Sequence, residues 1–552
     1  MNKLVQFIVE KSNKLFSSDA VYQNLSNTIR YHWSILVLIV GYFGFCIYTE
    51  LYRSIVPEWY WQLLPKEALL EQPILSIIQL HAQPPIYNII YWLVLTISKK
   101  IDVELNLVSG AFNLLLSTSI IGTAYLLVYF ALKKRTYSFF VALVIAMHPG
   151  LVYHQFVFLY TPIESVLILS VLIFIQRYSE TLRLWSVVCI LISINILVLT
   201  RSLWHPVIII FCLIGIVVYS KIVGKYLMKS KYFMFVAVIS VIPSIAFMSK
   251  NYFLFGSFGL SSWVSMNLGD SGIKDFFAEE DKEIIIQSTE KFYSSSILEW
   301  HQNSLATSMI YKNVKGDNLF KANANHYSVP VLNSKRTSQV VDLYTNNPSA
   351  YLERCFVSIA CLHAPTYVDP YSINVYNGEY SIDLGFLTKY SKTYGFPFFE
   401  EISSIEFAIN GQKYKLSLTL FLFLFFPGYF LLLIRHFLKH PLSSNNLLLL
   451  TFLLFQLWFI LMVVFVDGRE SNRMRWAIEP AWIICFFILL KQLLVDLLAS
   501  YNYFFLAPTT TPTHSNPPPL AAIRRGLRRS SLLCTTNCCV VPQRLALNSQ
   551  RN

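Results

Sequence analysis

The sequence predicts an all-α polytopic membrane protein with about ten transmembrane helices, interfacial helices after the first span and a large non-cytoplasmic loop domain. Three observations predict it. The 552 residues are 55% hydrophobic and only 14% charged, far more apolar than a soluble globular chain. Apolar runs long enough to cross roughly 30 Å of hydrocarbon recur along the chain. With the N-terminus inside, the basic residues of the connections fall almost throughout on one side.

The elements follow in order. Residues 1–31 are polar, with Lys3, Lys11, Lys14 and Arg30, and form a cytoplasmic N-terminus. They hold no apolar core of signal length, so the first span, 32–50, anchors the chain. The stretch 51–83 is rich in aromatics (Trp59, Tyr60, Trp61) and is cut by Pro57, Pro65 and Pro73, which reads as short helices in the membrane interface. Residues 84–98 are apolar but only about 22 Å long at 1.5 Å per residue. They read as a juxtamembrane or re-entrant helix, which extends the interfacial loop over 51–98.

The remaining spans are 106–132, 137–152, 164–177, 184–200, 203–220, 232–249, 415–434, 446–466 and 474–497. The cytoplasmic connections then hold Lys133-Lys134-Arg135, Arg177 and Arg183, Lys221 to Lys231, and Arg435 with Lys439; Lys99-Lys100 is the exception. The chain thus divides into a transmembrane module at 32–249, a non-cytoplasmic lobe at 250–414 and C-terminal transmembrane helices at 415–500. The lobe carries more than half of the acidic residues and is long enough for a small folded unit. Residues 507–552 are disordered in composition, with a basic run from Ile523 to Arg529. They read as a non-native end or as a basic tail touching anionic lipid.

Net charge of +13 follows from the positive-inside bias, so no nucleic-acid partner is expected. The nine cysteines show no metal-ligand spacing. Cys355 and Cys361 share the lobe and could pair in an oxidising compartment. The stretch from His81 to Asn88, His-Ala-Gln-Pro-Pro-Ile-Tyr-Asn, opens the short helix. Its two prolines fix the backbone, and His81 and Gln83 can both hydrogen-bond a polar ligand. The same residues also read as a plain helix start at the bilayer surface.

Polar groups collect on the same membrane face: Glu50, Glu58, His148, His154, Glu164, Arg201, His205, Arg473, Arg475 and Glu479. Charges at a bilayer edge are costly unless paired or used. Arginines there suit an anionic lipid head group, and a carboxylate suits proton removal from a hydroxyl. Each has a bland alternative: Glu50 or Glu58 as a solvated acid, Glu164 as a helix-dipole partner, Arg473 and Arg475 as snorkelling anchors. No paired-aspartate metal motif stands out, so no divalent metal is invoked.

His81, Gln83, Pro84, Pro85 and Tyr87, placed after a first span and an acidic loop, resemble the fingerprint of the GT-C membrane glycosyltransferases. The likeness is to the protein O-mannosyltransferase and aminoarabinose-transferase-like enzymes, with Ala82-Gln83 inserted between the His and the prolines. Thr161-Pro162-Ile163-Glu164 looks like the family's Thr-Pro-Asp with one extra residue and Glu for Asp. Leu199-Thr200-Arg201 is similar to the family's span-ending basic residue, and Asn472 to Pro480 looks like its Arg-Tyr-x-x-Pro run. Asn251 to Phe258, followed by Ser261-Ser262-Trp263, resembles an uncharacterised subgroup, and the likeness covers about residues 30–500.

This resemblance implies a GT-C-like bundle that moves a sugar from a polyprenyl-phosphate donor to a lipid, glycan or protein acceptor, with inversion, on the non-cytoplasmic face. It implies Glu50 or Glu58 as base, Arg201 with Arg473 or Arg475 on the lipid phosphate, and His81, Gln83, Tyr87 and Glu164 around sugar and acceptor. The lipid-linked sugar is a substrate, and no cofactor is expected. The protein would be an integral, multi-pass component of a bacterial inner membrane or the endoplasmic reticulum. The family's paired Asp-Glu is replaced here by the separated Glu50 and Glu58. The rival readings are a transporter or flippase, which would show internal repeats and mid-span charges, and a non-catalytic membrane scaffold.

Overall fold

A computed structural model describes residues 18–56, 62–223, 231–263, 329–363, 401–409, 412–419, 426–440, 445–467 and 474–505, together with Leu268 and Asn325. Glu58, Arg473, most of the lobe and the tail at 507–552 lie outside the described residues. The chain forms two units, Met1–Leu493 and Leu494–Asn552, and the helix bundle with its loops belongs to the first.

The first helix, α1, is Ser18–Tyr48, so helix begins well before the expected span at 32; its apolar part is Trp33–Tyr48. Glu50 follows in the left-handed region at φ 59°. Two short helices, α2 (Lys66–Glu71) and α3 (Pro73–Gln79), occupy the proline-cut stretch, with Pro65 as the N-cap of one and Pro73 in the first turn of the other. Proline suits a helix start because the first N–H has no intrahelical acceptor anyway. Pro85 caps α4 (Ile86–Ile101).

Next come α5 (Leu105–Leu132), α6 (Arg135–Ala146), α7 (Pro149–Phe156), α8 (Thr161–Thr181), α9 (Leu184–Val198), α10 (Val207–Ile222) and α11 (Lys231–Phe255). Helices α5, α6, α8 and α9 pack together. Their core is branched aliphatics such as Ile120, Ile121, Leu169, Leu172, Ile190 and Ile194, all fully buried. At one end of this group Lys133 Nζ pairs with Glu180 at 2.7 Å.

The opposite end is built from loops. Ile55 and Val157 form a parallel bridge, with Ile55 N–H donating to Phe156 O at 2.8 Å and Phe158 N–H to Ile55 O at 2.9 Å. The Tyr87 hydroxyl at the start of α4 donates to Phe158 O at 3.0 Å. Just past the end of α4, Ser54 N–H donates to Asn106 O at 2.9 Å. The start of α4 and the start of α5 are thus both bonded to the loops of this bridge.

Five helices are long and apolar enough to cross a membrane: α5, α8, α11, Asn446–Val466 and Glu479–Tyr501. The pair α6 and α7, bent by 53°, would make a sixth. The bend falls at His148-Pro149, where proline ends the hydrogen-bond ladder. Trp33–Tyr48, α9 and α10 are apolar but shorter, so ten spans are not reached by length among the described residues.

Two further expectations are corrected. The span expected from 415 begins inside a strand: β1 (Glu401–Ile409) pairs antiparallel with β2 (Gln412–Thr419), and helix α14 starts at Phe426. Lys413, Lys415, Ser417 and Thr419 alternate with Tyr414, Leu416 and Leu418, a period of two that suits a strand. The Asn410-Gly411 link is a common hairpin connector. The described fold is helical apart from this hairpin. Cys355 and Cys361 both lie on α13 (Pro348–His363), which follows α12 (Val329–Asn346). Six residues along a helix is a rise of about 9 Å, beyond disulfide reach, and Cys355 is a free, buried thiol.

Helix α14 ends at Lys439, and α15 (Asn446–Met462) runs into a π turn at Val463–Asp467. Arg354 on α13 donates to the carbonyls of Phe465 at 3.2 Å and Val466 at 2.8 Å, satisfying acceptors that the π turn leaves over. The last helix is α16 (Glu479–Phe505).

The loop end depends on one close approach. A Cβ on Gly110 of α5 would stand 1.8 Å from Tyr52 O and 2.5 Å from its carbonyl carbon. Gly110→Ala is expected to destabilise by at least about 1–3 kcal/mol through overpacking. Gly122→Ala, whose Cβ would meet only Ile39 Cδ1 at 4.0 Å, is the control. Thermal unfolding of the two detergent-solubilised variants checks this, and equal midpoints would refute the close approach.

Candidate functional site

Four sequence runs meet at the loop end of the bundle. Ile86 N–H, just after the two prolines, donates to Leu199 O at 2.9 Å, which joins the motif loop to the end of α9. Trp204 follows Arg201 after the two turn residues Ser202-Leu203, and its indole N–H donates to Glu164 Oε1 at 2.8 Å. The Arg201 guanidinium stands 4.8 Å over the Tyr160 ring and reaches Met474 Sδ at 2.7 Å. The Ser165 hydroxyl donates to Trp476 O at 2.9 Å.

Burial here is nearly complete. Glu164 and Glu479 are fully buried, and Arg201 and Arg475 are 4% and 5% exposed. Glu164 occupies the first turn of α8, where the helix dipole favours a carboxylate. Glu479 occupies the first turn of α16 and gathers two donors. Arg475 approaches it through Nε and Nη2, each at 3.4 Å. His148 Nε2 lies 3.5 Å away. The Gly150 N–H donates to His148 Nδ1 at 2.9 Å, so the neutral ring carries its proton on Nε2, facing Glu479. Trp476 is flanked by His148 at 4.8 Å and His154 at 5.9 Å between ring centroids. Burial lowers the pKa of His205, in the link before α10, below its ordinary value.

The motif loop is buried too. His81 is 1% and Gln83 6% exposed. Both ring nitrogens of His81 are engaged, Nδ1 with Ser262 Oγ at 2.8 Å and Nε2 with Asn325 O at 3.0 Å. Its ring packs on Phe255 at 4.4 Å. Tyr87, expected near substrate, commits its hydroxyl to the Phe158 carbonyl and its ring to Phe158 and Tyr160. Glu50 is exposed at the end of α1. Glu58 and Arg473 lie outside the described residues. Among the described residues no group of three or more His, Cys, Asp or Glu is placed to hold a metal ion.

The structure thus brings Glu164, Arg201 and Arg475 together and ties the His81–Tyr87 loop to them. It adds Trp204 and Trp476, and it sets two other polar groups of that face, His148 and Glu479, against each other, with Arg475 on Glu479. The i,i+4 spacing of Arg475 and Glu479 was a readable signal for their pairing. Nothing in sequence could have joined Trp204 to Glu164 or Asn325 to His81.

No protein-family model and no curated protein matches this chain. Among solved structures it is similar to an oligosaccharyltransferase of Archaeoglobus fulgidus, crystallised tethered to an acceptor peptide containing the NVT sequon via a disulfide bond. Identity is 12% and the TM-score 0.38, over 92% of this chain and 54% of that one. This chain therefore spans about half the length of that structure.

Glu479→Gln leaves Arg475 buried beside a neutral amide and is expected to cost about 3–5 kcal/mol. Arg475→Gln is expected to cost a similar amount, and the double variant less than the sum. Thermal or denaturant unfolding in detergent checks both, and strict additivity would show that the pair does not interact.

Proposed function

We propose that this chain is a multi-pass membrane glycosyltransferase of GT-C type, moving a sugar from a polyprenyl-phosphate donor to a lipid, glycan or protein acceptor on the non-cytoplasmic face. The supporting observation is the convergence of four separate runs: the His81–Asn88 loop, Thr161 to Glu164, Leu199 to Arg201, and Met474 to Glu479. These are the runs in which the sequence resembles that superfamily, and they meet at one end of the bundle.

In this reading a carboxylate, Glu50 or Glu58, takes the proton of the acceptor hydroxyl. The hydroxyl oxygen attacks the anomeric carbon, and the bond from that carbon to the phosphate oxygen breaks. One displacement inverts the anomeric centre, and the phosphate leaves on its polyprenyl chain. Arg201, with Arg473 or Arg475, stabilises the charge that develops on the leaving phosphate; fixed cationic donors in a dry site do this without reorganisation. Arg475 faces Glu479, and Arg201 lies over the Tyr160 ring beside Met474. Glu164 is held by Trp204 and orients sugar or acceptor.

The test is transfer of radiolabelled sugar from a polyprenyl-phosphate donor pool in membranes. Arg201→Gln is expected to lower the rate by about 100-fold or more, the scale of losing one stabilising donor. Either Glu50→Gln or Glu58→Gln is expected to abolish transfer while the protein stays inserted and abundant. A wild-type protein that transfers nothing to lipid, glycan or protein refutes the reading.

A further inference from the structure

We propose that His81 is a positioning residue: its imidazole clasps two distant points of the chain, Ser262 and Asn325, onto the motif loop and so fixes that loop against Arg201. The loop backbone is held almost atom by atom. Asn325 Oδ1 accepts the N–H of His81 at 2.7 Å and of Ala82 at 3.0 Å, and its Nδ2 donates to Gln79 O at 3.1 Å. Ser262 N–H donates to His81 O at 3.0 Å. The Ser261 hydroxyl donates to Ala82 O at 2.6 Å, and Lys250 Nζ donates to Leu80 O at 2.5 Å.

The imidazole completes the set. Asn325 O can only accept, so Nε2 carries the proton of the neutral ring and Nδ1 accepts from the Ser262 hydroxyl. With both nitrogens engaged and the ring 1% exposed against Phe255, His81 has no face left for a ligand. The clasp still reaches the site, because the same loop continues through Pro84 and Pro85 to Ile86, whose N–H is bonded to Leu199 O two residues before Arg201. Loosening the clasp would let Gln83 and the proline corner shift relative to Arg201. A displacement of about 1 Å at a reacting centre costs on the order of 100-fold in rate.

The test combines two measurements on the full-length protein in detergent or membranes. The first is hydrogen exchange of the backbone amides of His81 and Ala82. Asn325→Ala removes their acceptor and is expected to speed their exchange by about tenfold or more, the scale of a lost local opening barrier. The second is sugar transfer, and this arm alone rests on the glycosyltransferase reading. Asn325→Ala and His81→Ala are each expected to lower kcat/KM by about tenfold or more, with the double variant no worse than the poorer single. His81→Gln, whose amide can still donate to Asn325 O, is expected to recover most of the loss.

Unchanged exchange in Asn325→Ala overturns the clasp. So does a pattern in which His81→Ala abolishes transfer while Asn325→Ala leaves it intact, which would make His81 a direct ligand residue. Faster exchange in a protein whose wild type transfers no sugar upholds the clasp and removes only the transferase reading.

Discussion

Backbone that leaves a helix at a membrane must find its hydrogen-bond partners inside the protein, and the loop end of this bundle is built around that constraint. Carboxamide side chains supply several of the partners. Asn113 on α5 donates to Ser54 Oγ at 2.8 Å, His154 O at 3.0 Å and Val157 O at 3.1 Å. Gln155 donates to Leu51 O at 3.0 Å and Gly110 O at 3.1 Å. Asn88 accepts from Leu64 N–H at 2.8 Å and donates to Gln62 O at 3.1 Å. An amide offers two donors and an acceptor without charge, so it can staple several carbonyls where an ion would need a counter-ion.

These staples set where the charged groups sit. The Ile55–Val157 bridge fixes the link between α7 and α8, and with it Tyr160 and Glu164 at the start of α8. The bend at His148-Pro149 turns the chain back toward the bundle and places one imidazole on Trp476 and Glu479. Arg201 then fits between the Tyr160 ring and Met474. A buried guanidinium or carboxylate persists only where such contacts offset its desolvation. The same low-dielectric setting strengthens each interaction it makes with a charged group.

The two ends of the bundle follow different rules. At the Lys133–Glu180 end, Lys133 is largely exposed, and such pairs contribute little to stability. At the loop end Glu164, Arg201, Arg475 and Glu479 are buried, while Glu50 is exposed. This buried polar cluster is what marks the loop end as the candidate site. It is also why the segment after α11 matters, since Ser261, Ser262 and Asn325 seal the motif loop from outside.

The sequence alone determined the helical, membrane-type composition and most helix positions, because apolar period and length are local properties. Pro65, Pro73 and Pro85 marked helix boundaries for the same reason: a fixed φ and a missing N–H act within one turn, whereas the span expected over 137–152 ran through Pro149, where the structure breaks it. Glu164, Arg201 and Arg475 were legible as candidates because a charge in an apolar context stands out. Tertiary structure decided what each of them touches. The strand at 412–419 outcompeted a helical reading only because its partner at 401–409 exists. Glu164 meets Trp204, and His81 meets a residue 244 positions away, through contacts that no local spacing encodes. Which polar group is stapled and which is left to act depends on long-range pairing of donors and acceptors, and that is fixed only when the helices pack.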